Sequence, residues 1–579
     1  MRRLILTGFC LLALVKYAGA QEQLTIKQQA DKLFGRLEYF KSLSLYLKLA
    51  NKKKTDVQVL ERIADCYRNI NRYEDAEAWY ARATTDVKAI KISHFYYAEV
   101  LLRNQKFELA KKQFELYYTD DSEALKLKLA DCDSAVSWMK QKSVYKIKNE
   151  PGLNTEFSDW GLNYEGKTAL VFTSDRKTND QDIDERTGNS WFKLYEAILN
   201  SNEVNELSIV TDSTDIFGDS YHIGPVAFNN TADTAYITVT NAIARKKIGI
   251  DKPVEKPKQR LYTRRLQLVM AAKKNGQWTV FELFPYNDIQ KYSVSDAALS
   301  KDGRLIYFTS DMPGGEGKTD IWYCKKRADG TWDKPVNCGK TINTKEEEAF
   351  PNIGGDGLLY YSSKGLAGMG GYDIYAAKGE KNQWGTPKNL KYPINSTSDD
   401  FYLVTPDGLS GYFSSNREGG QGGDDIYSFA FKPIDSIPSK RVKHPDTPVL
   451  THTKPPKVIP EFVLNPIYYD LDKSNIRPDA TIELDKLASN LKQYPDLKIE
   501  LSSYTDSRAS DQYNMALSQR RAASAMTYLI NQGISSDRLI AKYYGETHLV
   551  NKCVDGVKCT EAEHQLNRRT EFRVIGGGD

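Results

Sequence analysis

The sequence predicts a multidomain chain: an α-helical repeat region, an all-β repeat region and a C-terminal α+β domain. Three observations carry that prediction. Small and large residues recur with a period of 34 through residues 22–140. Three near-copies between residues 150 and 430 carry Asp-Ile-aromatic triplets at Asp320, Asp373 and Asp425, spaced 53 and 52 residues apart. Beyond a proline-rich stretch, strand-like and helix-like segments alternate to the end of the chain. At 579 residues the chain exceeds what one hydrophobic core supports.

The N-terminus, "MRRLILTGFCLLALVKYAGAQ", has two arginines, a short apolar run and the small-residue site Ala18-Gly19-Ala20. It predicts a secretory signal peptide over residues 1–20. Cys10 lies in the run, but Phe9 stands where lipid attachment takes a small residue. Removing Arg2, Arg3 and Lys16 takes the net charge from +4 to +1, which leaves no broad electrostatic footprint for nucleic acid. No later stretch has the length of a transmembrane helix. Export implies an oxidising compartment, and Cys553 and Cys559 in "CVDGVKC" are spaced to pair across a turn. Cys66 and Cys132 fall on similar helical phases and read as buried thiols. The loop at Cys553 follows the last long helix in sequence, so its loss is expected to spare ligand binding.

In residues 22–140 five columns repeat: Ala30/Ala64/Ala98, Leu33/Tyr67/Leu101, Tyr39/Tyr73/Phe107, Ser42/Ala76/Ala110 and Tyr46/Tyr80/Phe114. Small against large at helical spacing lets antiparallel helix pairs pack and stack. The pattern resembles tetratricopeptide repeats, which implies a partner-binding groove. The columns themselves read as packing core, so a partner would be taken on less patterned positions.

The near-copies "LSKDGRLIYFTSDMPGGEGKTDIWY", "IGGDGLLYYSSKGLAGMGGYDIYAA" and "VTPDGLSGYFSSNREGGQGGDDIYSF" each combine an Asp-Gly turn, an alternating strand, a glycine-rich turn and another strand. Weaker copies surround Phe172 and Ile237. The set resembles the WD40-like repeats of TolB-type β-propellers, with five visible blades across residues 150–430 and the blade number left open to a sixth, either divergent or completed by strands near both ends of the region. The aspartates serve hairpin chemistry rather than metal binding, and "PGGEGK" lacks the spacing of a phosphate loop. No metal site and no cofactor are expected. Residues 431–460 hold seven of the 21 prolines and predict a semi-rigid spacer.

The final domain, residues 461–579, predicts a strand at Ile467–Leu471, a helix from Pro478, a strand at Leu497–Ser503, a helix ending near Ile530 with Gly533 beyond it, and two more strands. Its motifs are "YYDLDKSNIRPDA", the "TD…NMALSQRRA" stretch, "GISSDRLIAKYYGE" and "NRRTEF". They resemble the OmpA-like peptidoglycan-binding family over nearly the whole domain. One departure is visible: Ser503 and Tyr504 stand where the family usually has Gly-His.

The resemblance implies a ligand, the diaminopimelate side chain of the peptidoglycan stem peptide. Asp506 would take its ammonium and Arg521 would grip its carboxylate as a fork. Thr505 and Asn514 would shape the pocket, and Asp472 matches a polar family position near it. Asn567 and Arg568 brace the site from the last strand or serve structure alone, and Arg520 points to another helix face.

The order of the three regions resembles Bacteroidetes envelope proteins, among them components of type IX secretion and gliding machinery. It implies a non-enzymatic periplasmic anchor, associated with the outer membrane and cell wall. Peptidoglycan and outer-membrane or periplasmic proteins would be its partners. Two alternatives stand beside it: a general cell-wall structural protein, and a sensor or enzyme whose propeller binds a sugar or peptide. Against catalysis, the chain has no "GxSxG" or "HExxH" motif and only six histidines.

Overall fold

In the computed structural model the described residues are 24–50, 55–141, 143–166, 169–177, 183–200, 203–209, 222–240, 265–274, 277–431 and 464–576. The expected signal peptide lies outside them, as does the proline-rich spacer beyond Phe431, which ends a strand. No helix among the described residues is long and apolar enough to cross a membrane. The chain divides into two compact units, one built on the N-terminal helices and one holding the sheets and the C-terminal domain.

The N-terminal helices form three hairpins, Ile26–Phe34 with Tyr39–Ala50, Val57–Asn69 with Tyr73–Ala83, and Lys91–Arg103 with Phe107–Tyr117, and a further helix, Ser122–Met139, follows them. Each hairpin turns on one left-handed residue, Leu37, Asn71 or Gln105, with φ of 64°, 61° and 58°. Those three are themselves 34 residues apart. Thr25 caps the first helix through a reciprocal box with Gln28, and Asp56 caps the third through the Gln58 amide.

The alanine column, the Ser42/Ala76/Ala110 column and the Tyr46/Tyr80/Phe114 column are fully buried. Tyr39, Tyr73 and Phe107, at the first positions of their helices, are only half-buried. A further column is polar. Tyr46 donates to Asp31 and Tyr80 to Asp65, both at 2.6 Å, so each buried phenol finds an acceptor on the preceding helix. In the third repeat Phe114 has no hydroxyl to place.

Five four-stranded antiparallel sheets follow. The first comprises Asp159–Glu165, Ala169–Ser174, Lys193–Asn200 and Glu203–Ile209. The second comprises Ile223–Phe228, Thr234–Thr240, Leu266–Lys274 and Gln277–Leu283. The third is Val294–Leu299, Leu305–Ser310, Asp320–Lys325 and Val336–Asn337, and the fourth Glu348–Ile353, Leu359–Ser363, Asp373–Ala377 and Lys388–Asn389. The fifth takes Asp400–Val404, Ser410–Ser415 and Asp425–Phe431, then gains its outer strand from far upstream, Tyr145–Asn149, running from Tyr145↔Phe431 to Asn149↔Tyr427.

The second strands were expected to alternate between core and solvent. Instead Leu305–Ser310 and Leu359–Ser363 are buried at every position. A strand covered on both faces loses its period-2 signal, and packed neighbouring sheets provide that cover.

Each first strand bulges at a left-handed residue: Gly161, Gly224, Asp296, Phe350 and Tyr402. At two of these bulges a hydroxyl on the second strand of another sheet bonds the left-handed residue. Thr238 Oγ1 accepts from the Asp296 amide at 3.0 Å, and Ser414 Oγ of the fifth sheet accepts from the Gly161 amide of the first at 3.1 Å. Trp160, Phe350 and Phe401, from the first, fourth and fifth sheets, cluster with ring centroids 4.9–6.1 Å apart.

The repeated Asp320, Asp373 and Asp425 are buried and accept the backbone amides of their glycine-rich turns. They act as local anchors of tight loops, a role not expected from the sequence, where the turn reading was of the Asp-Gly aspartates Asp302, Asp356 and Asp407. A second motif escaped the repeat comparison: Leu153-Asn154-Thr155, Ile342-Asn343-Thr344 and Ile394-Asn395-Ser396, each followed four residues after its hydroxyl by Asp159, Glu348 or Asp400. Each asparagine clamps the backbone of one third-strand residue, accepting its N–H and donating to its C=O: Asn343 to Ile321, Asn395 to Ile374, Asn154 to Ile426. Each acid accepts from its own Thr or Ser.

The C-terminal domain is a sheet in the order Ile467–Tyr468, Arg569–Gly576, Lys498–Ser503, Leu539–Tyr543, antiparallel except for the last pair. Helices Pro478–Gln493 and Asp511–Asn531 cover one face. Pro478 opens the first helix, whose buried stripe Ala480, Leu484, Leu487, Ala488 and Leu491 has the 3–4 spacing of one face. Gly533, at φ 91°, supplies the left-handed residue that ends the second. The first strand is shorter than expected, ending at Tyr468, and a helix not expected from the sequence, Glu561–Asn567, precedes the last strand. Its signal was the capping box formed by Thr560 and Glu563.

Candidate functional site

The site lies where the central strand Lys498–Ser503 gives way to the helix Asp511–Asn531. Ser510 caps that helix, accepting from the Tyr513 amide, so the segment 504–510 is held between two regular elements. Arg521, in the middle of the helix, is fully buried. Its guanidinium donates to three backbone carbonyls, Lys473 at 3.0 Å, Tyr504 at 2.9 Å and Asp470 at 3.3 Å, and lies over the Tyr469 ring at 5.1 Å. No carboxylate pairs with it among the described residues. Burial pushes its pKa down to about 10; Tyr469 and the charge on Asp506 oppose the desolvation only in part, and Arg568 and Arg520 add to it.

Asp506 is also buried, its side chain 8% exposed. Burial alone would raise its pKa, but hydrogen bonds and charge from Arg508 and Arg568 outweigh that and hold it below the usual carboxylate range. Arg568 Nη1 reaches Asp506 at 2.8 Å and Arg508 Nη2 at 2.6 Å. Glu561, on the unexpected helix, contacts both arginines at 2.7 Å. Asp506 and Arg521 are thus brought to one region without bonding to each other, since Arg521 grips the carbonyl of Tyr504, two residues before Asp506.

Thr505 is buried, with its amide on the Gly545 carbonyl at 2.8 Å and its hydroxyl unpartnered. Asn514 donates to the Ala509 carbonyl at 3.1 Å and to Glu546. Asp472 is exposed, in a left-handed turn, and accepts from the Tyr513 hydroxyl at the start of the helix. Arg520 lies over the exposed Tyr513 ring, away from Arg521.

Asn567 is the last helical residue and not part of the final strand. Its amide group ties down Val550 and Asn551. Arg568 follows it and is the buried partner of Asp506. Sequence reasoning missed Arg508 and Glu561 altogether. Arg508 sits two residues past Asp506, and nothing in the spacing distinguishes it from a solvated charge.

Ser503 Oγ meets Thr570 Oγ1 at 2.5 Å, the Tyr504 ring stacks on Tyr544 at 5.3 Å, and the Arg569 guanidinium lies 4.0 Å above Tyr504. Cys553 and Cys559 are joined by a disulfide, Cα–Cα 5.8 Å. Its loop lies against the site, contrary to the expectation from sequence order: Ser507 donates to the Cys553 carbonyl at 2.6 Å.

The C-terminal domain is OmpA-like, with residues 468–561 matching the OmpA family. Among curated relatives, the peptidoglycan-associated lipoprotein of Mesorhizobium japonicum is 37% identical over 112 residues, 19% of this chain and 64% of that protein. That of Brucella suis is 39% identical over 112 residues, with the same coverage. The chain therefore spans just under two thirds of the length of these relatives. The crystal structure of the peptidoglycan-associated lipoprotein from Burkholderia pseudomallei aligns over 19% of this chain and 89% of that one, at 26% identity and TM-score 0.18.

Proposed function

We propose that the C-terminal domain binds peptidoglycan non-covalently through the free end of the stem-peptide diaminopimelate. The observation that carries the reading is Arg521, a buried guanidinium oriented by three carbonyls and lacking a carboxylate partner among the described residues. A buried cation without a counter-charge is costly, and a ligand carboxylate is its natural complement. Asp506 supplies the opposite charge nearby, fitting a head group that bears both an ammonium and a carboxylate. The unpartnered Thr505 hydroxyl adds a donor or acceptor beside them.

The rest of the chain then acts as a carrier of this anchor. The five sheets form a β-propeller closed between its fifth and first sheets. Supporting this are the five equivalent left-handed bulges, the bond from the Gly161 amide to Ser414, and the upstream strand and Asn154 that complete the fifth sheet. The helical hairpins are tetratricopeptide repeats offering a protein-binding groove. Together they tether an outer-membrane complex, of the type IX secretion kind implied by the order of regions, to the cell wall from the periplasm.

The test is co-sedimentation of the protein with purified peptidoglycan sacculi. Asp506→Ala and Arg521→Ala are each expected to abolish pelleting, since breaking a desolvated charge contact costs about 2–5 kcal/mol. Arg520→Ala is the control. Undiminished pelleting of both site variants would overturn the reading.

A further inference from the structure

The contacts on Asp506 are lopsided. Both arginines bond to Oδ2, Arg568 through Nη1 at 2.8 Å and Arg508 through Nη2 at 2.6 Å and Nε at 3.1 Å. Oδ1 takes part in no side-chain hydrogen bond among the described residues. The two arginines also differ in their freedom. Arg568, 2% exposed, is fixed by the Tyr469 carbonyl at 3.1 Å, by Glu561 at 2.7 Å and by Gln565 at 2.5 Å. The Arg508 side chain is 33% exposed and bonds to no backbone carbonyl among the described residues. Its other contact is Glu561 Oε2 at 2.7 Å, on a carboxylate that is itself 60% exposed.

We propose that Arg508 is a latch on the site, neutralising Asp506 while the site is empty and giving way to an incoming ammonium by moving onto Glu561 alone. This inference rests on the peptidoglycan reading of Asp506 and Arg521. One buried carboxylate already shared by two guanidinium groups gains little from a third cation unless one of the first two leaves. Both arginines pair with Glu561, but Arg568 is 2% exposed and held by the Tyr469 carbonyl, whereas the partly exposed Arg508 can swing outwards and keep its ion pair with Glu561. The latch lowers affinity and raises selectivity: a ligand bearing carboxylates but no ammonium has no means of displacing it. Arg508 is therefore a specificity-determining residue whose removal strengthens binding, the opposite of what removal of a ligand contact would do.

The experiment is calorimetric titration of the full-length protein with meso-diaminopimelic acid, a soluble single-site probe. A partly exposed ion pair is equivalent to roughly a two- to fivefold change in an equilibrium constant. Arg508→Gln is expected to bind about two- to fivefold tighter than the parent. Arg508→Lys, which keeps the competing charge, should stay within about twofold of the parent. Pimelic acid, the same chain without ammonium groups, should gain nothing from Arg508→Gln. If the parent binds and Arg508→Gln binds equally or more weakly, the latch is wrong and the peptidoglycan reading stands. If neither protein binds, the peptidoglycan reading falls and takes the latch with it.

Discussion

Replacing Asp506 by Asn removes a charge while nearly preserving shape, and its cost follows from the contacts around it. The carboxylate accepts three charge-assisted hydrogen bonds, two from Arg508 and one from Arg568. Orphaning one member of a buried ion pair costs about 3–5 kcal/mol when no other partner is present. Here Arg568 keeps Glu561 at 2.7 Å, and Arg508 can turn towards solvent, so the expected loss is about 2 kcal/mol. The assay is urea denaturation of residues 464–576, whose buried core runs from Ile467 to Leu539. With a slope near 1 kcal/mol/M, the midpoint should fall by about 1.5–2 M. The effect also has a pH signature. Because the folded carboxyl is held below its ordinary value, its contribution is fully present above about pH 5. It is lost as pH falls through the depressed folded value, since there the unfolded chain has already taken up the proton. The gap between parent and variant should therefore stay constant from about pH 7 to about pH 5 and narrow between about pH 4 and about pH 2. Equal midpoints at neutral pH, or a gap that does not narrow in acid, would refute the account of Asp506 as the ionised partner of two arginines.

The Cys553→Ser/Cys559→Ser variant should lose about 2 kcal/mol of stability, the loop-entropy value for so short a bridge. Through the Ser507 contact it should also weaken diaminopimelate binding severalfold, measured by calorimetry alongside urea denaturation. Asn154→Ala removes both hydrogen bonds to Ile426 and should lower the thermal midpoint of the sheet region by several degrees, about 2 kcal/mol for two buried bonds. A scanning-calorimetry trace in which only the C-terminal transition moves would refute the clamp.

The helical hairpins were legible because one physical requirement, small against large at a close helix contact, repeats on identical spacing. Ala30, Ala64 and Ala98 are all fully buried. The polar link from Tyr46 to Asp31 and from Tyr80 to Asp65 was less visible, since an acid on a helix usually reads as a solvated charge. In the sheet region the third strands were marked by the Asp-Ile-aromatic triplets. The strand order of the fifth sheet was not legible: Asn154 and Ile426 are 272 residues apart, and only the fold reveals that they bond. At the candidate site, Asp506 and Arg521 stood out through the motifs around them. The charge balance did not, because it depends on Arg568, 62 residues beyond Asp506, and on a helix announced by a single capping box.

The pairing of Tyr145–Asn149 with Asp425–Phe431 has a mechanical side. Tyr145 and Phe431 face each other at one end of the ladder, so the chain arriving from the helices and the chain leaving for the C-terminal domain depart from the same rung. A pull between those two regions does not shear five rungs at once. It peels them in sequence, from Tyr145↔Phe431 towards Asn149↔Tyr427, so the resistance at any moment is that of one rung. Behind the last rung stand Asn149 on Asp425 at 3.0 Å and Asn154 on Ile426 at 2.8 Å, the first points at which several bonds must break together. A chain laid out this way yields early under tension over a few residues of slack and then stiffens, as a fuse in series with a lock.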